Sequence, residues 1–281
     1  MCRLFAQLSV KPESAARGLT EAPHALLPLS RADARRRQKD GWGVAWFVDG
    51  RPRVLKSSRP LYEEADRARR AGRRAVSRAV IGHVRAASNP KGLPMGRILG
   101  TVNSQPFSAG VWAFAHNGTL QIPDEVAARL GAQRRRLKSR SDSEVFFRQF
   151  LKFNAALGDP AEALAACVRE TETLWRACRS RHRGKRAPYT GLNAVLSDGR
   201  SLHALSLYNG PLGRTRSLGR GVQRWGVMSL RAEPGRVVVA SEDLDDGAWR
   251  RLPPGTLVSV LPEGRRLRVR LRRLGKGVRK Q

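Results

Sequence analysis

Residues 1–10, Met-Cys-Arg-Leu-Phe-Ala-Gln-Leu-Ser-Val, open the chain with a cysteine followed by a predicted short β-strand that runs to Val10. If Met1 is removed, Cys2 carries a free thiol and a free α-amino group on one residue. An amine with an ordinary pKa of about 8 can accept the thiol proton directly or through one water, so the residue contains both a nucleophile and its base. A lone cysteine near a terminus is usually inert, and the rest of the sequence has to show whether Cys2 has a role.

The composition is that of a folded globular protein. The 281 residues are 41% hydrophobic, enough to bury a sizeable core in one domain or two. Apolar runs have the length of strands rather than membrane spans, and the N-terminus lacks the pattern of a signal peptide. The three cysteines (Cys2, Cys167 and Cys178) have no metal-binding spacing. We therefore expect a cytoplasmic protein with reduced thiols, and we predict no metal and no cofactor.

The formal net charge of +31 is extreme, and 45 of the 54 basic residues are arginine. Such a charge suggests nucleic acid or an anionic surface as a partner. A binding patch would concentrate the excess, whereas the basic residues form short clusters along the chain, at 35–37, 69–74, 134–136, 179–186 and 265–280. Solvated surface charge is therefore favoured. A nonenzymatic nucleic-acid-associated protein stays as the competing class of function.

Hydrophobic patterns predict strands towards both ends of the chain and helices between them. Asp49-Gly50 between two β-rich runs predicts a hairpin, and Ser141-Asp142-Ser143-Glu144 is typical of a helix start. Helices are predicted at 61–74, 142–157 and 160–179, and strands at 41–48, 51–56, 79–84, 111–115, 193–196, 201–208, 225–230, 236–240, 256–261 and 266–271. The segment 11–40 is predicted as a loop with some helix. This order predicts a single α+β domain with antiparallel sheets over residues 2–275, and a frayed basic tail over 276–281.

Two polar clusters contain charged groups that could bind an amino acid. Arg85, in the cluster Gly82 to Ser88 after a predicted strand, could hold a carboxylate through two parallel hydrogen bonds. One more surface arginine among many is the plainer interpretation. Asp142, at the predicted helix start, is either an N-cap or a carboxylate for a substrate ammonium.

Two further clusters are polar turns in the plainest interpretation. Residues 103–107, Asn-Ser-Gln-Pro-Phe, indicate only a loop before the next strand. Asn117-Gly118 follows His116 at the end of a predicted strand and is first of all a turn. The same pair offers an amide side chain beside an unencumbered glycine N–H, the ingredients of an oxyanion hole.

Taken together, these motifs resemble the class II glutamine amidotransferases, enzymes of the N-terminal-nucleophile hydrolase superfamily. They occur in that family's order: Met1-Cys2-Arg3-Leu4-Phe5, Gly41-Trp42-Gly43, His83-Val84-Arg85-Ala86, His116-Asn117-Gly118 and Ser141-Asp142-Ser143-Glu144. The later run 240–244, with Trp249 and 252–255, is similar to the C-terminal part of the small stand-alone members. The resemblance covers nearly the whole chain and implies a four-layer αββα sandwich with two antiparallel sheets.

The resemblance also implies a role for each motif. Cys2 would be the nucleophile and its α-amino group the base, while Asn117 and Gly118 would form the oxyanion hole. Arg85 would bind the α-carboxylate of glutamine and Asp142 its α-ammonium. His83 and His116, in the same motifs, are counted among the substrate-binding residues. The reaction would attack the side-chain amide, release ammonia and hydrolyse a γ-glutamyl thioester.

The chain after residue 150 has no recognisable domain that would use the ammonia. The resemblance therefore implies one of two functions with a small-molecule substrate. Either glutamine is cleaved and ammonia passes to a separate synthase, or the enzyme hydrolyses γ-glutamyl amides, as small relatives do in thiol pathways such as that of ergothioneine. The arginine-rich segment 11–40 is predicted to shape the mouth of the site.

Overall fold

The computed structural model describes residues 2–34, 37–209, 214–216, 222–224 and 226–275. Its strands are β1 (Arg3–Ser14), β2 (Trp42–Val48), β3 (Arg51–Ser57), β4 (Val76–Val84), β5 (Phe107–Ala109), β6 (Trp112–Leu120), β7 (Tyr189–Ser197), β8 (Leu202–Ser206), β9 (Arg214–Arg216), β10 (Val222–Arg224), β11 (Met228–Glu233), β12 (Arg236–Ala240), β13 (Arg250–Leu252), β14 (Thr256–Glu263) and β15 (Arg266–Arg273). The α-helices are α1 (Leu26–Leu29), α2 (Ala65–Arg74), α3 (Met95–Ile98), α4 (Pro123–Ala128), α5 (Asp142–Leu157) and α6 (Pro160–Cys178). Met1, the start of the strand predicted at 225–230 and the predicted tail 276–281 lie outside the described residues.

The long strands form two antiparallel sheets. The seven-stranded sheet has the order β13-β11-β12-β1-β4-β2-β3, and the six-stranded sheet has the order β15-β14-β8-β7-β6-β5. The short strands β9 and β10 pair only with each other. In the larger sheet β1 is central, because it pairs with β4 on one side and with β12 on the other.

The side chains of β1 alternate between the two faces of its sheet, and this alternation shows how the layers are stacked. Leu4, Ala6 and Leu8 face the six-stranded sheet and join an apolar core between the two sheets, whereas Phe5 faces the other way. On that outer side Phe5 packs with residues of α1 and α2. The outer face of the six-stranded sheet packs against α4, α5 and α6 in a third core. The protein is therefore a four-layer αββα sandwich, as predicted.

The two central helices begin and end where local capping chemistry dictates. The Ser141 side chain accepts the Ser143 N–H at the start of α5, which ends at Gly158 in the left-handed conformation with φ 66°. Asp159 accepts the N–H groups of Ala161 and Glu162 at the start of α6. The predicted helices at 142–157 and 160–179 are confirmed. Because Ser141 is the cap, the carboxylate of Asp142 is free of that task.

The C-terminal motif at 240–244 is hydrogen-bonded to the start of β1. The Ser241 N–H donates to the Leu4 carbonyl at 3.0 Å, and the Leu4 N–H donates to Ser241 Oγ at 3.1 Å. Beside them, Arg3 and Glu242 form a buried ion pair. Among the described residues, each helix is too short or too polar to cross a lipid bilayer.

The segment 11–40 differs from its prediction. β1 continues to Ser14 rather than ending at Val10, and a π-helical turn at Arg17–Glu21 and the short α1 follow. The extension pairs with the start of β4 after an irregularity between Leu8 and Glu13, which explains why simple alternation ends early.

Candidate active site

The ends of three neighbouring strands bring Cys2 and Arg85 together. Val84, the last residue of β4, pairs with Arg3 of β1 on one side and with Trp42 of β2 on the other. Cys2 directly precedes β1 and Arg85 directly follows β4, so the two residues lie at the same edge of the sheet. The Cys2 Sγ is 3.4 Å from both the backbone N and the carbonyl O of Ala86.

Gly41 fixes the path of the backbone at Arg85. The Arg85 N–H donates to the Gly41 carbonyl at 2.8 Å, and the Arg85 carbonyl accepts from the Asp40 N–H at 3.1 Å. Gly41 has φ +120°, and a Cβ there would lie 2.5 Å from Ser104 Oγ and 2.6 Å from the Ser57 carbonyl. The first glycine of the Gly41-Trp42-Gly43 motif therefore has a positional reason, since a side chain at 41 would collide with Ser104 and the Ser57 backbone.

The Arg85 side chain is a buried cation with unused bonding capacity. It is 4% exposed, and its Nη1 has no hydrogen-bond partner within the described part of the chain. A buried, unpaired guanidinium nitrogen is costly unless a ligand completes its hydrogen bonding. The interpretation of Arg85 as one more surface arginine is wrong, and its environment suits a carboxylate.

Asp142 lies on the first turn of α5. Its Oδ2 accepts the Leu120 N–H at 2.8 Å, and its Oδ1 accepts the Ser88 hydroxyl at 3.2 Å. Burial raises the pKa of this carboxyl, and the charge on Arg85 partly offsets the rise. The carboxylate is 3% exposed and fixed by those two donors.

The segment after β4 links the three charged or reactive groups, because Ala86, next to Arg85, contacts the Cys2 sulfur and Ser88 donates to Asp142. Burial raises the pKa of the Cys2 thiol; Arg85 lowers this pKa, whereas Asp142 raises it. The thiol is thus protonated at neutral pH, and it needs a base before it can act as a nucleophile. The structure thus places a thiol, a cation and an anion around one short segment.

The interpretation of Asn117-Gly118 as a turn is wrong. Both residues lie within β6, which continues to Leu120, and they pair with Asn193 and Leu192 of β7. A Cβ on Gly118 would lie 2.0 Å from the Gly191 carbonyl oxygen, so the close approach of the strands requires glycine. Asn117 is buried, and its Oδ1 has no hydrogen-bond partner in the described part of the chain. No contact joins this pair to Cys2 among the described residues.

His116 is held inside the protein through both ring nitrogens. Its Nδ1 is 2.9 Å from Ser143 Oγ, and its Nε2 is 3.0 Å from the Gly191 carbonyl. A carbonyl only accepts, so Nε2 carries the proton and Nδ1 accepts from Ser143. Burial lowers the pKa of the ring and favours this neutral form. These contacts favour a supporting role for His116 over the substrate contact that its motif suggested.

His83 lies on β4 and is fully buried. Neither ring nitrogen has a hydrogen-bond partner within the described residues. Burial, followed by the nearby Arg85, lowers the pKa of His83 to about 3, so the ring is neutral at physiological pH. A neutral imidazole with unsatisfied nitrogens is compatible with the substrate contact predicted for it.

Several positioning residues were missed by the sequence analysis. Gln105, assigned only to a loop, accepts the His116 N–H at 2.7 Å and donates to the His116 carbonyl at 3.1 Å. Glu144 accepts the N–H groups of Lys138 and Ser139 and shapes the turn before α5. The only signal for these residues was their place inside or beside motifs, because a polar residue that bonds to backbone has no distinctive spacing.

Comparisons with known proteins agree with this geometry. The family model of the class-II glutamine amidotransferases matches residues 1–215. A curated relative, the gamma-glutamyl-hercynylcysteine sulfoxide hydrolase of Mycolicibacterium smegmatis, is 29% identical over 92% of this chain and 96% of its own.

Solved structures show the same fold at low sequence identity. A glutamine aminotransferase class-II domain protein from Silicibacter pomeroyi has a TM-score of 0.65 at 22% identity, over 98% of this chain and 100% of its own. Glutamine phosphoribosylpyrophosphate amidotransferase from B. subtilis has a TM-score of 0.64 at 17% identity, and the match covers 98% of this chain and 50% of that enzyme.

Proposed function

Because the chain belongs to the class II glutamine amidotransferases, we propose that it hydrolyses a γ-glutamyl amide by means of Cys2, released as the N-terminal residue when Met1 is removed. The family acts on small molecules through an N-terminal-nucleophile mechanism. The orphaned, buried Nη1 of Arg85 beside the Cys2 thiol carries the assignment of the site. It marks a place for a carboxylate next to the nucleophile.

Each end of the glutamyl group has a complementary charge in this proposal. Arg85 binds the α-carboxylate in its two-pronged geometry, and Asp142 binds the α-ammonium. A zwitterion held at both charges presents its side-chain amide to the Cys2 sulfur, and His83 lines the buried wall. Such positioning is a large part of catalysis, since it makes the attack effectively intramolecular.

The reaction proceeds in two halves. The α-amino group of Cys2 takes the thiol proton as the sulfur attacks the amide carbon, and Asn117 and Gly118 stabilise the oxyanion. The amine leaves with the proton that the base returns, and a γ-glutamyl thioester remains. Water then attacks the thioester, its proton passes to the α-amino group, and glutamate leaves as the thiol re-forms.

Two candidates remain for the leaving group. The curated relative is named a hydrolase of a γ-glutamyl compound, which supports hydrolysis of a γ-glutamyl amide of a thiol pathway. Glutamine itself is the alternative, and the ammonia would then pass to a separate synthase. Residues 2–275 would act as one domain in either case. Three free cysteines support residence in the reducing cytoplasm.

The test combines intact mass with turnover. The chain is expressed without an N-terminal tag, its mass is measured, and release of glutamate is assayed from glutamine and from a panel of γ-glutamyl amides. We expect loss of Met1, activity on at least one amide, and covalent labelling of Cys2 by an electrophilic glutamine analogue. Cys2→Ala should abolish both activity and labelling.

Cys167→Ser is the matched control, because Cys167 is a buried thiol in α6. It should retain turnover and labelling. Retention of Met1 in an active enzyme, or activity unchanged in Cys2→Ala, would overturn the proposal. The panel also separates the two leaving groups, since a preference for glutamine favours the ammonia-supplying function.

A further inference from the structure

A second cluster of reactive side chains lies among the helices on the six-stranded sheet. Glu125 of α4, Cys178 at the end of α6 and His182 each offer one donor atom, and these three atoms lie within 4.8 Å of one another. We propose that they form a binding site for a thiophilic divalent cation, with Zn²⁺ as the natural occupant. None of the three residues has a part in the chemistry at Cys2.

The three donor residues come from two separate parts of the chain. Cys178 ends α6, the 3₁₀ turn Arg179–Arg181 follows, and the His182 N–H donates to the Arg179 carbonyl at 3.1 Å. This turn places His182 over the end of the helix, where its ring stacks on Trp175 with centroids 6.1 Å apart. Glu125 comes from the first turn of α4. The sequence analysis predicted no metal site here, because Glu125 is 57 residues away from His182.

The chemistry of the donors selects zinc. Thiolate, imidazole and carboxylate are its usual ligands, and a thiolate with a carboxylate neutralises a dication. Cys178 is buried at 2% exposure, whereas the Glu125 and His182 side chains are each 18% exposed. The ion would therefore be bound from the protein side and keep a fourth position towards solvent for water.

The present distances require a small adjustment for metal binding. Ligand atoms on one tetrahedral zinc ion lie roughly 3.3–3.7 Å apart. His182 Nε2 and Glu125 Oε1 are 2.6 Å apart, in a hydrogen bond that the ion would replace. Side-chain rotation is enough to open this pair and bring the thiolate closer.

Neighbouring cations do not close the site. Arg181 approaches Glu125 Oε1 only to 3.9 Å, and its side chain is 69% exposed, so it can turn to solvent. The Lys185 Nζ donates to the carbonyls of Pro90 and Gln121 and points to them. Those two carbonyls belong to the segments that follow Arg85 and Gly118.

Cobalt(II) tests the site because its spectrum reports the ligands. The full chain, in a Cys2→Ala background that removes the half-buried thiol outside this site, is titrated with Co²⁺. We expect one equivalent to bind with visible bands of tetrahedral cobalt and a thiolate charge-transfer band, both lost when Zn²⁺ is added. Zn²⁺ should also raise the Tm of this protein.

Variants separate this site from adventitious binding. In the same background Cys178→Ser should lose the charge-transfer band, and His182→Gln should weaken Co²⁺ binding at least about tenfold, since even outer-shell changes have effects of that size. Cys167→Ser is the control and should keep the full spectrum. Cooperative thermal unfolding checks that each variant is folded.

Two results would overturn the proposal. One is the absence of a thiolate band in the parent protein. The other is a band that persists in folded Cys178→Ser. The glutamyl hydrolase assay takes no part in either readout, so the metal site and the proposed function stand or fall separately.

Discussion

At the residue scale, the behaviour of the site depends on charges that the fold removes from water. Arg85 is buried with a free nitrogen, and Asp142 is buried with two donors. An arginine on a strand end can be predicted from the sequence, but its burial cannot, because burial depends on which segments cover it. The sequence therefore identified both groups, and only the structure separates Arg85 from the many arginines on the surface.

Replacement of Arg85 should act mainly on substrate binding. Arg85→Ala removes a contact made equally in the ground state and the transition state, so KM should rise about 10- to 100-fold with a smaller change in kcat. Arg85→Lys should recover only part of this loss, because lysine keeps the charge but not the fork. Steady-state kinetics of both variants measure the split. A fall in kcat with KM unchanged would contradict the assigned role.

Asp142 should set the acid limit of activity. It binds the substrate ammonium only as a carboxylate, and burial raises the pKa of this carboxyl above its ordinary value. As the pH falls through the raised pKa, the group takes a proton and kcat/KM should decline, earlier than an exposed aspartate would cause. The pH profile of kcat/KM checks this. In Asp142→Asn the residual activity should lack that acid limb, and an unchanged limb would assign it to another group.

At the element scale, the clearest failure of prediction from sequence lies in β6. The pair Asn117-Gly118 favours a turn locally, yet the antiparallel pairing with β7 continues through both residues. Tertiary pairing outweighs the local preference of one dipeptide, which is a contribution of only about 1 kcal/mol. The central helices were predicted closely because their caps, Ser141 and Asp159, are local signals.

The close contact between β6 and β7 predicts that replacing Gly118 lowers the stability of the protein. Gly118→Ala should destabilise the protein by about 2–4 kcal/mol, because the new Cβ would overlap the Gly191 carbonyl, which is backbone and cannot turn aside. Thermal or urea unfolding measures the loss. Gly96→Ala is the control: its Cβ would meet nothing within 4 Å, so its Tm should hold or rise slightly. Equal Tm values for the two variants would show that β6 and β7 can separate without cost.

At the scale of the whole molecule, the start of β1 is joined to a residue 239 positions later in the chain. Arg3 and Glu242 form a buried ion pair that links β1 to the segment after β12. The sequence could indicate both motifs but not this joining, because strand order in a sheet depends on contacts between distant segments. The α+β class and the antiparallel pairing followed from local patterns, whereas the central place of β1 did not.

Removing one partner of the Arg3–Glu242 ion pair should destabilise the protein more than replacing both partners. Arg3→Met removes the cation that contacts the buried Glu242 carboxylate and should cost about 3–5 kcal/mol of unfolding free energy. The double variant Arg3→Met with Glu242→Leu should recover most of the loss, since the buried carboxylate is removed as well. Urea unfolding of the three proteins gives the comparison. A double variant no more stable than Arg3→Met would show that the pair is not the source of the effect.

The central position of β1 also determines the stage of synthesis at which the larger sheet can be completed. β12 (Arg236–Ala240), the neighbour of β1, is made long after the strand that follows Cys2. Until then one edge of β1 has no partner, and Glu242 is not yet available to Arg3. Folding that must await such distant pairing is slow, and it comes late in translation. The activity proposed for Cys2 is therefore delayed during synthesis until β12 and Glu242 have been made.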